Sequence, residues 1–263
     1  MPAFAFVGLI ATASLVGVIR TSIRPGLLGE NGFSIDAWRR VLADTAFFEA
    51  IGFTLWIAAA STVLAITVAI PASLALRRVG PTSRSVLALP VAAPHLVVAT
   101  LAALWLIPGG LLDRLVGELP LSLTGDRRGL GIIIVYVWKE IPFLTILALA
   151  ALDPATRELE HSAALLGAGP LRRLRDVVLP RLLVPLAGGG MLIAAFVIGA
   201  VEVPLVVGPT SPDMLGTYAL GVIRLDGPAA RADAAVANVV AAALVGALGA
   251  GLLLVARRSR RHR

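Results

Sequence analysis

Gly129–Ala150 reads GLGIIIVYVWKEIPFLTILALA, an apolar run of twenty-two residues whose only charges are Lys139 and Glu140. As a helix rising about 1.5 Å per residue, it matches the roughly 30 Å hydrocarbon layer of a bilayer. The run is continuous rather than alternating, which argues for a membrane helix and against a barrel strand. Working outward, five further runs have comparable character: Ala3–Ile19, Ala50–Leu76, Val86–Ile107, Leu186–Val207 and Ala234–Ala256. The expected fold is therefore an all-α membrane protein with about six transmembrane helices in one domain, 1–263. Small residues crowd Ala241–Gly251, so close packing against protein is expected along one side of the last helix.

Composition supports lipid as the main solvent. Hydrophobic residues make up 58% and charged residues 15% of the 263 positions, where a soluble domain carries about a quarter charged. With no cysteine, disulfides, thiolate zinc sites and iron–sulfur ligation are excluded. The net charge of +7 comes from arginine, because Lys139 is the sole lysine. Those arginines are distributed as a topology signal. The segments Arg77–Arg84, Asp153–Pro185 and Arg257–Arg263 hold 13 basic and 4 acidic residues, and the alternate loops hold 9 and 10. Both termini are thus expected to be cytoplasmic. The tail Arg257–Arg263 reads as an anchor at anionic lipid headgroups, not a nucleic-acid contact. No Lys or Arg precedes the first run, which argues against a secretory leader, although a longer basic N-terminus would also fit.

In the outer segment 20–49, Ser34 can cap a short helix on which Ala37, Trp38, Val41 and Leu42 recur at helical spacing. Trp38 and Phe47–Phe48 suit the headgroup region, so an interfacial helix is expected.

The inner loop between the fourth and fifth spans is the most informative. Asp153-Pro154 pairs a capping carboxylate with proline at the first helical position, predicting a helix to about Leu166 that stops near Gly167–Gly169. Pro170 opens a second short helix. Leu159, Ala163 and Leu166 share one face of the first helix. Leu171, Leu174 and Val178 form a stripe on the second, with Arg172, Arg173 and Arg175 pointing elsewhere. So much apolar surface calls for a covering partner.

From Glu160-His161-Ser162-Ala163 through Leu166-Gly167 to Val177-Val178-Leu179-Pro180, this loop resembles the EAA loop of binding-protein-dependent ABC importer permeases. Gly167 fits the family glycine, and Leu179-Pro180 fall at its expected offsets. His161-Ser162-Ala163 stands where Glu-Ala-Ala is usual, and Glu160 lies one residue early, about 100° around the helix. The likeness runs from about Thr54 onward. Val197–Pro209 and Trp138–Phe143 are similar to permeases of the polyamine, iron, thiamine and inorganic-anion branch. The resemblance implies a translocation subunit in a bacterial inner membrane, paired with a second, identical or homologous permease. It also implies a cytoplasmic ABC ATPase dimer docked on the 153–185 loop and an extracytoplasmic binding protein that delivers a small polar or charged solute. ATPase coupling would fall to Glu160, His161, Ser162, Ala163, Leu166, Gly167, Leu179 and Pro180.

No phosphate-loop motif exists, because Lys139 is followed by Glu140, so ATP hydrolysis belongs on another chain. His95, His161 and His262 are too scattered for a metal site or a triad, and no cofactor or catalytic residue is expected. His95 reads as a polar helix contact. Lys139 and Glu140 fall roughly 15 Å into their span, where ionisable groups need partners, water or a protein interior. Glu202 is the candidate partner for Lys139. Together with Pro142 and Pro204, these charges either line a solute path or fix helix packing. An ion-coupled carrier would also use buried charges and broken helices, but it has no need of a docking loop.

Overall fold

The computed structural model describes residues 2–23, 32–77, 79–80, 86–117, 123–225 and 227–261. Among the described residues the regular elements are all helices, joined by turns and irregular segments, without strands. In chain order the helices are α1 (Pro2–Ile23), α2 (Asp36–Ala43), α3 (Thr45–Leu76), α4 (Ala88–Ala92), α5 (His95–Leu106) and α6 (Leu111–Val116). Then follow α7 (Leu130–Ala151), α8 (Pro154–Leu165), α9 (Pro170–Arg173), α10 (Leu179–Gly199), α11 (Glu202–Val207), α12 (Leu215–Ile223) and α13 (Pro228–Arg261). Among the described residues six stretches are long and apolar enough to cross a membrane, as the hydropathy runs predicted.

Among the differences from the expected boundaries, three have a backbone reason. The third run does not continue from Val86 to Ile107: Ala93 and Pro94 are extended and separate α4 from α5. Pro94 cannot donate a helical hydrogen bond, and proline disfavours helical geometry in the residue before it. The fifth run begins earlier, because a π turn at Leu174–Val178 joins α9 to α10. That wider turn precedes Pro180, whose ring would clash in a regular helix. The same run ends at Gly199 and restarts at Glu202, so Glu202 and Pro204 lie on the separate helix α11.

The chain divides into two compact units, Met1–Ile57 with Ala195–Arg263, and Ala58–Ala194. In the first unit α13 packs against α1, α2 and α12. Ala37, Val41, Phe47, Leu215 and Tyr218 share its core with Ala232, Ala234, Val236 and Ala237. The close packing expected of the small residues 241–251 thus occurs earlier on α13, where alanines admit the neighbouring helices, and most of 241–251 is exposed or half-buried.

Helix α2 is held by more than an interface. The N-cap position falls on Ile35, without a side-chain bond, and not on Ser34 as expected; Ser34 Oγ, one residue earlier, accepts from the Asp36 amide at 3.1 Å. Trp38 Nε1 donates to Ser22 Oγ at 3.3 Å, and Arg40 binds Asp233 through two nitrogens at 3.1 and 2.7 Å. Tyr218 donates to Asp44 at 2.7 Å; burial and then this carboxylate keep its phenol above the ordinary range, hence a donor. The side chains of the basic tail and the segment 81–85 lie outside the described residues.

Candidate functional site

The first helix of the 153–180 loop forms where its sequence predicts, through two well-formed ends. Asp153 Oδ1 accepts from the Thr156 amide at 2.8 Å, with Pro154 at the first helical position. At the other end the Gly167 amide donates to Ala164 O at 3.0 Å and the Ala168 amide to Ala163 O at 2.9 Å. This is the Schellman pattern, and it requires the φ of +81° that Gly167 adopts. The Arg181 guanidinium, 3.0 Å from Thr156 Oγ1, ties the start of α8 to α10. The result is a short, stiff helix fixed to the end of the fifth span.

The Asp153 cap makes a pH statement. Hydrogen bonds from the Thr156 hydroxyl and then its amide hold the Asp153 carboxyl below the ordinary carboxylate range. A lowered carboxylate pKa gives a contribution that is present above the unfolded value and lost as pH falls through the folded one. Asp153→Ala should therefore speed amide exchange in the 153–165 peptide at neutral pH. Taking the wild type down to about pH 5 should leave exchange at the cap unchanged once intrinsic rates are corrected. Equal exchange in Asp153→Ala and wild type, read by mass spectrometry, would remove the cap from the account.

The predicted loop residues separate by what they face. Glu160 turns inward: its Oε1 pairs with Arg77 at 2.7 Å, at the end of α3. Its early position, about 100° from the family carboxylate, puts it on this inner face. Ser162 donates to Glu158 O at 3.0 Å, and Ala163 is half-buried. His161 is exposed. Leu166 is 88% exposed, and so are Leu165 (89%) and Leu171 (78%). Leu165 escaped the sequence reading because it lies off the 159–163–166 stripe. The second stripe is split: Leu171 faces out while Val178 is buried, because the intervening π turn changes the helical register. Leu179 is half-buried and Pro180 exposed. Arg173, expected to point away from this stripe, lines a cavity of about 750 Å³ with Leu174, Arg77, Arg157, Glu160 and His161. Arg77 and Arg181 were also missed, since partners distant in sequence leave no local pattern.

The buried charges of α7 have partners other than those expected. Lys139 is 4% exposed and donates to Val91 O at 3.0 Å, not to Glu202. Val91 is the carbonyl left by the break in the third run, so a cation there replaces a helical donor. Glu140 Oε1 lies 3.1 Å from His95 Nε2, on the first residue past the break. His95 is thus the polar helix contact its sequence suggested. Two consecutive residues of α7 hold the two sides of one discontinuity. Pro142 is buried one turn further along α7. In the other unit the Glu202 side chain is exposed and Pro204 is buried.

Comparison with known proteins adds the family. Residues 61–261 match the family model described as "Binding-protein-dependent transport system inner membrane component". The trehalose transport system permease protein SugA of Mycobacterium tuberculosis, in each of two strains, is 28% identical over 149 residues. That alignment takes in 54% of this chain and 48% of the relative, so the chain spans about half the length of the curated relatives it matches. A bacterial alginate ABC transporter, solved in complex with an alginate pentasaccharide-bound periplasmic protein, superposes with a TM-score of 0.73 at 20% identity. It covers 99% of this chain and 92% of that one. A second structure, of a bacterial ABC transporter involved in importing the acidic polysaccharide alginate, gives 0.71 at 21% identity, covering 99% and 93%. These structural likenesses establish the fold. The names of these relatives speak of sugars, not of the polyamine, iron, thiamine and inorganic-anion branch that the sequence resembled.

Proposed function

Because the chain belongs to the family of binding-protein-dependent transport system inner membrane components, we propose that it is the translocation subunit of an ATP-driven importer. The 153–180 loop carries this reading. A lever must be stiff, attached to the spans, and able to bind a partner. Helix α8 has a cap at each end and a tie to α10 through Arg181, and its C-terminal end carries exposed Leu165 and Leu166, with Leu171 of α9 exposed beyond the turn. A cytoplasmic ATPase would grip that tip, with His161, Ser162 and Ala163 beside it. Gly167 and the Leu179-Pro180 turn would pass its motion to the fifth span. Glu160 then acts within the chain, through Arg77.

The remaining parts of the reading follow from that role. A second permease would complete the pathway, a binding protein would deliver solute on the outer face, and both termini would lie in the cytoplasm of a bacterial inner-membrane protein. No ATP chemistry is assigned to this chain. For the solute we propose a saccharide, which the names of the relatives support; its hydroxyls need polar path groups without a fixed counter-charge. Lys139, Glu140 and Pro142 then serve helix packing, and Glu202 and Pro204 are the candidates for contact with the path.

Co-expression with phosphate-loop ATPases of its own cell, followed by affinity purification in detergent, tests the docking. The wild-type chain should retain its ATPase, and Leu165→Glu with Leu166→Glu should lower recovery at least about tenfold, since charge would replace a desolvated apolar anchor. Both leucines are exposed, so the variant should unfold at the wild-type temperature. If no ATPase follows even the wild-type chain, the docking role given to this loop is withdrawn.

A further inference from the structure

The cavity beneath the loop has a charge balance that docking does not explain. Glu160 is occupied by Arg77, at 2.7 Å. Arg157 and Arg173 also line the space, and among the described residues no carboxylate lies within ion-pair distance of either. Arg173 Nε is buried with no hydrogen-bond acceptor among the described residues. A buried guanidinium donor without an acceptor is costly, so a site with one is incomplete.

We propose that this cavity binds a phosphate-bearing ligand, held by Arg157 and Arg173 with His161 at its edge. Guanidinium forks match oxyanions, and phosphate offers more charge and more acceptor oxygens than a carboxylate. At about 750 Å³ the space exceeds that of a bare inorganic ion and lies within the range of organic ligand sites. Leu74, Leu174 and Val178 form an apolar wall for the rest of such a ligand. The ligand is a soluble organic phosphate or the headgroup of a phospholipid, since both present the same chemistry. Ligand binding here would stiffen the junction of α3, α8 and the π turn, and so set the rest position of the loop. The proposal goes beyond the importer reading, and its test needs no ATPase.

Thermal unfolding of the purified, delipidated chain provides that test in two arms. One adds glycerol 3-phosphate in detergent against sodium chloride of equal ionic strength. The other compares nanodiscs containing phosphatidylglycerol with nanodiscs of a phosphate-free galactolipid. At roughly tenfold the Kd, the midpoint should rise by about 3 °C in at least one arm. A rise in the soluble arm alone identifies a metabolite site, and a rise in the lipid arm alone a headgroup site. Arg173→Met should abolish the rise and Arg157→Gln should at least halve it. Arg172→Gln should keep it, because Arg172 is exposed and paired with Asp176 at 3.5 Å. No rise in either arm overturns the proposal. So does an equal loss in Arg172→Gln, which would mean diffuse screening and no site. Should Arg173→Met fail to fold, Arg157→Gln, on an exposed side chain, still decides.

Discussion

Glu140→Leu is expected to destabilise the chain by about 3 kcal/mol or more, because it breaks a buried polar pair from one side only. Glu140 is 9% exposed and Lys139, its neighbour, 4%. In the wild type Glu140 contacts His95 Nε2 and Lys139 caps Val91 O. Removing the carboxylate leaves the lysine in an apolar span without its adjacent anion, and takes the Glu140 contact from His95 Nε2. Ionisable groups at that depth are costly unless paired or hydrated. Lys139→Met should cost about 1.5–3 kcal/mol, the range for a hydrogen bond to a charged group. The double variant Lys139→Met/Glu140→Leu should be milder than the sum of the two, since it removes both charges. A mutant cycle on thermal unfolding in one detergent checks this. Additive effects, or singles within about 0.5 kcal/mol of wild type, would mean the two residues do not form one unit.

What the sequence made legible, and what it did not, follows from the range of each interaction. The loop helix is specified by neighbours in sequence: Asp153 with Thr156, Ala163 with Ala168, Gly167 at positive φ. Its start and stop were therefore readable to within a residue. Hydropathy also places the six runs, because burial in lipid depends on composition over about twenty residues. It does not register a break that stays apolar, so Ala93–Pro94 and Ala200–Val201 passed as continuous spans although prolines stood nearby. Partners were the least accessible layer. Lys139 is satisfied by a backbone carbonyl, which no residue type announces, and Glu160 by Arg77 on a different helix.

The second large effect lies at the other break. Ala200 would bond, in a continuing helix, to the amide four residues on, but that residue is Pro204 and has no amide hydrogen. The freed carbonyl sits against α12. A Cβ added at Gly216 would lie 2.5 Å from Ala200 O and 2.8 Å from Val201 Cγ2. A single methyl there meets backbone, which can yield only by shifting the break itself. Overpacking ordinarily costs about 1–3 kcal/mol; with a carbonyl as the obstacle, Gly216→Ala should cost at least the upper figure and Gly216→Val should prevent recovery of folded protein. Gly190 is the control. Its added Cβ would meet side-chain methyls and no backbone: Ile66 Cδ1, the flexible end of its chain, at 2.8 Å, and Thr62 Cγ2, on a stiffer β-branched side chain, at 3.0 Å. Gly190→Ala should therefore stay within about 1.5 kcal/mol of wild type, as tolerated core changes do. On the importer reading proposed above, in which Glu202 and Pro204 of α11 contact the path, a displaced break should also lower uptake by proteoliposomes holding Gly216→Ala assembled with its ATPase, second permease and binding protein, at temperatures where the variant remains folded. If Gly216→Ala unfolds with Gly190→Ala and transports normally, the contact between α12 and the break is slack, and the fifth span is not held there.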